Sequence, residues 1–222
     1  MAIKKGQFIE LDFTGRIKDS GEIFDTTFPK DAKSIGMKSE ELRPMKICVG
    51  ERMLPEKFDD ALENKEPGKD YSIDLPAKDA FGERRKDLVK MIPLRIFTEK
   101  GVMPQRGMML NLDGIVVRVV SVSGGRVIAD FNNPLAGKAV SYSFKINKII
   151  EDKTERVKAF LESFLKIDPS KIGLEINEKG ATVLADVSEK ELPPYRDALK
   201  SVDDKAKKIL GFGLEVKSKA KN

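Results

Sequence analysis

The stretch Phe8–Thr27, FIELDFTGRIKDSGEIFDTT, decides the fold. In its first half Ile9, Leu11 and Phe13 alternate with Phe8, Glu10 and Asp12, a period of two that predicts a half-buried strand over 8–17. Lys18-Asp19-Ser20-Gly21 carries turn chemistry, and EIFDTT (22–27) reads as the next strand. Further out, MKICVG (45–50) is another short strand. Phe58, Ala61 and Leu62 fall at i, i+3 and i+4, so 55–62 is a short helix with one apolar face, stopped by Pro67-Gly68. YSIDLP (71–76) is again a strand, followed by the loop AKDAFGERRKD (77–87). These pieces make an antiparallel sheet with one helix against it, an α+β fold.

From residue 88 the character changes. Met91, Met103, Met108 and Met109 are half of the chain's eight methionines, and they lie with Ile96 and Phe97 among basic residues. IVVRVVSV (115–122) and RVIADF (126–131) form a hairpin across Ser123-Gly124-Gly125, and AVSYSFKINKI (139–149) is a last strand of the sheet. At Asp152 the signals turn helical. Asp152 and Glu155 suit a capping box, and Val157, Phe160, Leu161, Phe164 and Leu165 form an apolar stripe that must be buried against something. Asp168-Pro169 ends that helix. A hairpin follows across NEKG (177–180), then two helices near 189–201 and 203–210 with Gly211 as a stop, and a polar end, SKAKN, expected to fray.

A length of 222 residues suggests two or three compact units. No run of about 18 apolar residues and no apolar stretch after MAIKKGQF is present, so a soluble, cytoplasmic protein without a membrane partner is expected. The single cysteine, Cys48, sits between Ile47 and Val49 and reads as strand core. The absence of histidine removes the commonest general base and metal ligand, so neither a metal nor another cofactor is expected. Although the net charge is +5, 41 basic residues are interspersed with 36 acidic ones, and no stacking-aromatic pattern accompanies them, which argues against nucleic acid. Abundant Lys and Glu with only Gln7 and Gln105 resembles the proteins of heat-loving organisms.

The order and spacing of LDFTGRIKDSGEIFDTT, MKICVGERMLPEKFDDAL, PGKDYSIDLPAKDAFGE and DFNNPLAGKAVSYSFKI resembles the FKBP-type prolyl isomerases, most closely their SlyD-like and long archaeal members. The resemblance covers roughly residues 3–150. It implies a sheet curved around one helix with a proline pocket between them: catalytic Asp25, Phe24, Tyr142 and Phe81, with Phe13, Met45, Met53, Leu54 and Phe58 contacting substrate. It also implies three units: 1–83 with 130–152 as the isomerase, 84–129 as an inserted chaperone domain, and 153–222 as a C-terminal unit. In the insert, Met91, Ile96, Phe97, Met103, Met108 and Met109 are the expected contacts for unfolded or nascent proline-containing polypeptides, because methionine adapts to many apolar shapes.

Three departures from the family pattern stand out. Phe81 replaces a usual tyrosine and lacks its hydroxyl. The run Met53-Leu54-Pro55-Glu56-Lys57-Phe58 can align with the family pattern in two registers one residue apart, and if Pro55 occupies the position of the usual backbone donor, that N–H is absent. Asn133 replaces a usual histidine, so SlyD-like metal binding does not carry over. The expected function is prolyl isomerisation coupled to chaperoning, the alternative a holdase that has lost the isomerase activity. Residues 153–222 carry no functional resemblance. Their small size suggests stabilisation through a homodimer.

Overall fold

A computed structural model describes residues 1–38, 42–112, 114–177 and 180–219. Glu178 and Lys179 of the NEKG turn, and the last three residues of SKAKN, lie outside the described residues. The chain begins with β1 (Phe8–Ile17), β2 (Ile23–Thr26), α1 (Pro29–Ala32), β3 (Met45–Cys48), α2 (Glu56–Leu62) and β4 (Asp70–Leu75). Then come β5 (Val89–Pro93), α3 (Leu94–Thr98), β6 (Met109–Leu112), β7 (Ile115–Ser123) and β8 (Arg126–Asp130). It closes with β9 (Val140–Ile150), α4 (Lys153–Leu165), β10 (Ile172–Ile176), β11 (Ala181–Ala185), α5 (Pro193–Ser201), α6 (Asp203–Leu210) and β12 (Leu214–Ser218).

The α+β class expected from sequence is the one observed, with antiparallel pairing throughout the first two sheets. In the first sheet β1 is central. β9 runs along one side of it, while on the other β3 pairs its first half and β2 its second. The extra residue Asn147 bulges β9 opposite Glu10/Leu11, and its side-chain amide donates to Asp12 Oδ2 at 2.7 Å. A bulge bends and twists a sheet locally. The inward face, with Ile9, Leu11, Phe13, Tyr142, Phe144 and Ile146, closes on Phe58 and Leu62 of α2.

The alternation over 8–17 predicts one buried face, but near its start β1 is buried on both. Phe8 pairs with Cys48 and Ile150 and points away from the α2 side, where α4 covers it with Val157, Phe160 and Leu161. This is where the apolar stripe of α4 is buried, each large side chain contributing about 1.5–3 kcal/mol. The helix starts where expected, with Asp152 accepting from the Glu155 N–H at 2.8 Å, and ends on Lys166 in the left-handed conformation, ahead of Asp168-Pro169.

The second sheet, in the order β5-β8-β7-β6, packs one face on Phe97 of α3 around Val119 and Val127. The third contains the expected hairpin β10–β11 and adds β12, parallel to β11, which the sequence analysis lacks. Among the described residues no helix is long and apolar enough to cross a membrane.

Candidate functional site

The inward face of the first sheet ends in a continuous set of aromatic rings. Phe58, fixed on α2, lies 4.4 Å from Tyr142 and 6.3 Å from Phe13 between ring centres, the latter edge to face. Phe24 stands edge-on to both Tyr142 (5.7 Å) and Phe81 (5.6 Å). Such T-shaped pairs favour the ring quadrupoles and fix the rings relative to one another. Phe13, Phe58 and Tyr142 are buried and form a floor, while Phe24, Phe81, Met45, Met53 and Leu54 are half-buried and form a rim. The structure therefore brings together the apolar and aromatic residues expected at the proline site.

Local hydrogen bonds explain how β2 holds its end of the rim. Thr26 Oγ1 donates to Phe13 O at 3.1 Å, Thr27 Oγ1 donates to Asp12 Oδ1 at 2.7 Å, and the Phe13 N–H donates to Thr27 Oγ1 at 2.9 Å. The pair Thr26-Thr27 thus staples the strand after Asp25 to β1. Gly15 faces both Asp25 and Tyr142 across the sheet, and a Cβ at this position would lie 2.5 Å from the Phe24 ring and 3.0 Å from Tyr142. Only glycine leaves room for the Phe24 ring over the β1 backbone. Sequence reasoning missed Gly15, and the available signal was a glycine in the interior of an otherwise strong strand.

Asp25 is an exposed residue whose carboxyl sits at the apolar rim. Burial there raises its pKa, opposed by the Thr26 N–H. Tyr142 is pushed well above the usual phenol range, first by burial and then by the negative charge of Asp25. Its hydroxyl therefore remains a proton donor at any physiological pH.

The segment from β3 to α2 carries the opposite rim. Buried Asp59 accepts from the N–H groups of Gly50 (3.0 Å) and Arg52 (2.9 Å), holding the turn that leads into Met53 and Leu54. Met53 packs against both the α2 core and the α4 core, and its sulfur accepts from the Cys48 N–H at 3.4 Å. Glu51, with 11% of its side chain exposed, meets Lys208 at 3.1 Å and Lys205 at 3.3 Å from α6. Ser163 of α4 donates to Lys46 O at 2.9 Å. The C-terminal elements thus grip the segment that supplies Met45, Met53 and Leu54. Pro55 is the N-cap of α2, where its carbonyl accepts from Phe58 and Asp59.

The methionine-bearing residues lie apart from this site. Met91 and Met103 keep 58% and 68% of their surface in solvent, and Ile96, Met108 and Met109 are exposed too. Phe97, expected beside them as a client contact, is 2% exposed and forms the insert's own core, because α3 turns its ring onto Val119 and Val127. Cross-strand register puts Met91 opposite Ile128, and Met109 opposite Arg118. Ile115, Val116 and Val120 add exposed apolar surface that the methionine pattern did not reveal. Among the described residues no three His, Cys, Asp or Glu converge as metal ligands.

Residues 1–94 match the family model described as FKBP-type peptidyl-prolyl cis-trans isomerase, and residues 90–135 match that described as FKBP26, IF domain. The chain is 29% identical over 155 residues to the short-type peptidyl-prolyl cis-trans isomerase of Methanocaldococcus jannaschii, covering 69% of this chain and 98% of that protein. It is 27% identical over 166 residues to the FKBP-type peptidyl-prolyl cis-trans isomerase SlyD of Treponema pallidum, covering 72% and 86%.

Proposed function

From the premise that the chain belongs to the FKBP-type peptidyl-prolyl cis-trans isomerase family, SlyD-like in kind, we propose that it isomerises X–Pro bonds in unfolded or partly folded proteins and holds those proteins on its insert. The carrying observation is the aromatic floor of Phe13, Phe58 and Tyr142 with Asp25 on its rim.

The barrier to rotation, about 18–20 kcal/mol, comes from the partial double bond of the amide. The planar amide is the more polar, resonance-stabilised form. A water-poor aromatic floor stabilises the twisted bond relative to it, so the transition state is bound better than the ground state. No proton or covalent bond moves, so the chemistry works without histidine or metal. Tyr142, kept protonated, is a donor for a peptide carbonyl, and the Asp25 carboxylate acts on the rotating carbonyl through its field.

The proposed units are 1–83 with 130–152 for catalysis, 84–129 for clients and 153–222 as a C-terminal unit that steadies the Met53 rim. The exposed Met91, Ile96, Met103, Met108 and Met109 are the proposed client contacts, and Phe97 supports them from beneath. A homodimer through 153–222 finds little apolar support, since Tyr195, at 37%, is the one exposed large hydrophobic residue among the described residues of that segment. The cytoplasm, where nascent clients are found, is the proposed location.

The test is refolding of a proline-limited protein at substoichiometric amounts of this chain. Acceleration with turnover is expected, and Asp25→Ala lowers it without unfolding the protein. Protection only at stoichiometric amounts would make the chain a holdase.

A further inference from the structure

A cleft of 530 Å³ opens where the insert joins the first sheet. One wall is built where the chain enters and leaves the insert. There the Gly137 N–H donates to Gly82 O at 2.8 Å, the Arg85 N–H to Asn132 Oδ1 at 2.8 Å, and Asn132 Nδ2 to Arg85 O at 2.9 Å. This crossing sets Arg84 and Lys138 on the cleft. The facing wall is the outer face of the insert's sheet, where register puts Arg118 of β7 between Met109 of β6 and Asp130 of β8. The turn before β6 adds Arg106, held in place because the Gly107 N–H donates to Val119 O and the Val119 N–H to Met108 O, both at 2.8 Å.

Among the described residues, four cations thus line one cleft with a single carboxylate, Asp130. That carboxylate is already satisfied by Arg84 Nη2 at 2.6 Å, the Asn132 N–H at 3.0 Å and Asn132 Nδ2 at 2.7 Å. Arg106, Arg118 and Lys138 have no carboxylate within ion-pair distance among the described residues. Like charges gathered on a concave surface create a field that an anion relieves.

We propose that this cleft is a subsite for Asp and Glu side chains of an unfolded polypeptide, whose apolar neighbours rest on Met109, Val120 and the adjoining outer face. The inference rests on the client-binding reading of the insert. A polypeptide fits better than a nucleic acid, because the lining holds no aromatic side chain on which a base would stack, while Met109 and Val120 continue the exposed apolar face into the cleft.

The experiment uses the full chain and two unstructured peptides of equal length and apolar content. One carries Asp and Glu, the other Asn and Gln at the same positions, and binding is read by fluorescence anisotropy at about 0.05 M and about 0.5 M salt. The acidic peptide is expected to bind about five- to tenfold tighter at low salt. That preference disappears at high salt and in an Arg106→Gln/Arg118→Gln variant, which leaves the Arg84–Asp130 pair intact. Equal binding of the two peptides, or an unchanged preference in the variant, would overturn the proposal alone. Binding of neither would overturn the client-binding reading with it. A single-stranded oligonucleotide that outcompetes the acidic peptide would assign the cleft to nucleic acid and also overturn the proposal.

Discussion

At the junction of the first sheet with α2, Phe13, Phe58 and Tyr142 are buried and fixed ring against ring, whereas in the insert Met91 and Met109 stand in solvent on a sheet whose other face is packed, and Met103 is exposed on the loop before β6. Apolar side chains are used in opposite ways in the two regions. Under the proposed function, rigid rings with few rotamers preorganise a site for one small group, a proline and its amide. Flexible thioethers accommodate many sequences and specify none. The difference suggests that selectivity for the X–Pro bond resides in the first region and breadth of clients in the second.

That contrast makes stability the first way to break it. Phe58→Ala should lower unfolding stability by about 3–5 kcal/mol in urea titration and abolish turnover, because a buried ring leaves a cavity. Met91→Ala and Met103→Ala should stay within about 0.5 kcal/mol of the parent. A large loss at the methionines would mean that they are core after all.

Gly15→Val probes the floor more finely. Its side chain collides with the Phe24 ring, so a cost of about 1–3 kcal/mol is expected, with at least roughly a tenfold fall in kcat/KM for a short prolyl peptide. Client binding by the insert should be unaffected. An unchanged kcat/KM would remove Phe24's position from the mechanism.

Two carboxylates near the rims shift in opposite directions and give a smaller pH signature. Burial would raise the pKa of Glu51, but Lys208 and Lys205 outweigh it and hold it below the usual range. Its contribution, about 1 kcal/mol after screening around the exposed lysines, is present above the ordinary carboxylate range and lost as pH falls from that range through the lowered pKa. Burial raises Asp25, so the folded protein binds its proton more tightly than the unfolded chain, and stability falls as pH rises from the ordinary carboxylate range to the raised pKa. Urea unfolding followed from below the ordinary carboxylate range to above it should show Glu51→Gln removing the loss on the acid side and Asp25→Asn removing the opposite slope. Identical profiles in both variants would contradict these assignments.

The strand over 8–17, its turn, α2 and the hairpin β7–β8 were legible because local periodicity and turn residues encode them. The second buried face of β1 was not, because alternation identifies one apolar face, and the partner covering Phe8 lies some 150 residues further on, in α4. β12 escaped for a related reason. LEVKS is short and mixed in character, and its strand identity comes from parallel pairing with β11. The ring residues of the candidate site were legible through family resemblance. Gly15 and Glu51 were not, since one acts through what it leaves empty and the other through lysines on α6. Phe97 shows the limit of composition, which marks an apolar residue without saying which face of its helix meets the core.

The most direct test of the division between a rigid catalytic site and an adaptable client surface compares one variant on two substrates. In Met91→Gln/Met103→Gln/Met109→Gln, isomerisation of a short prolyl peptide should stay within about twofold of the parent. Catalysed refolding of a proline-limited protein should fall by roughly tenfold, because the client is no longer held beside the site. Equal losses on both substrates, or full refolding catalysis without the methionines, would contradict the account.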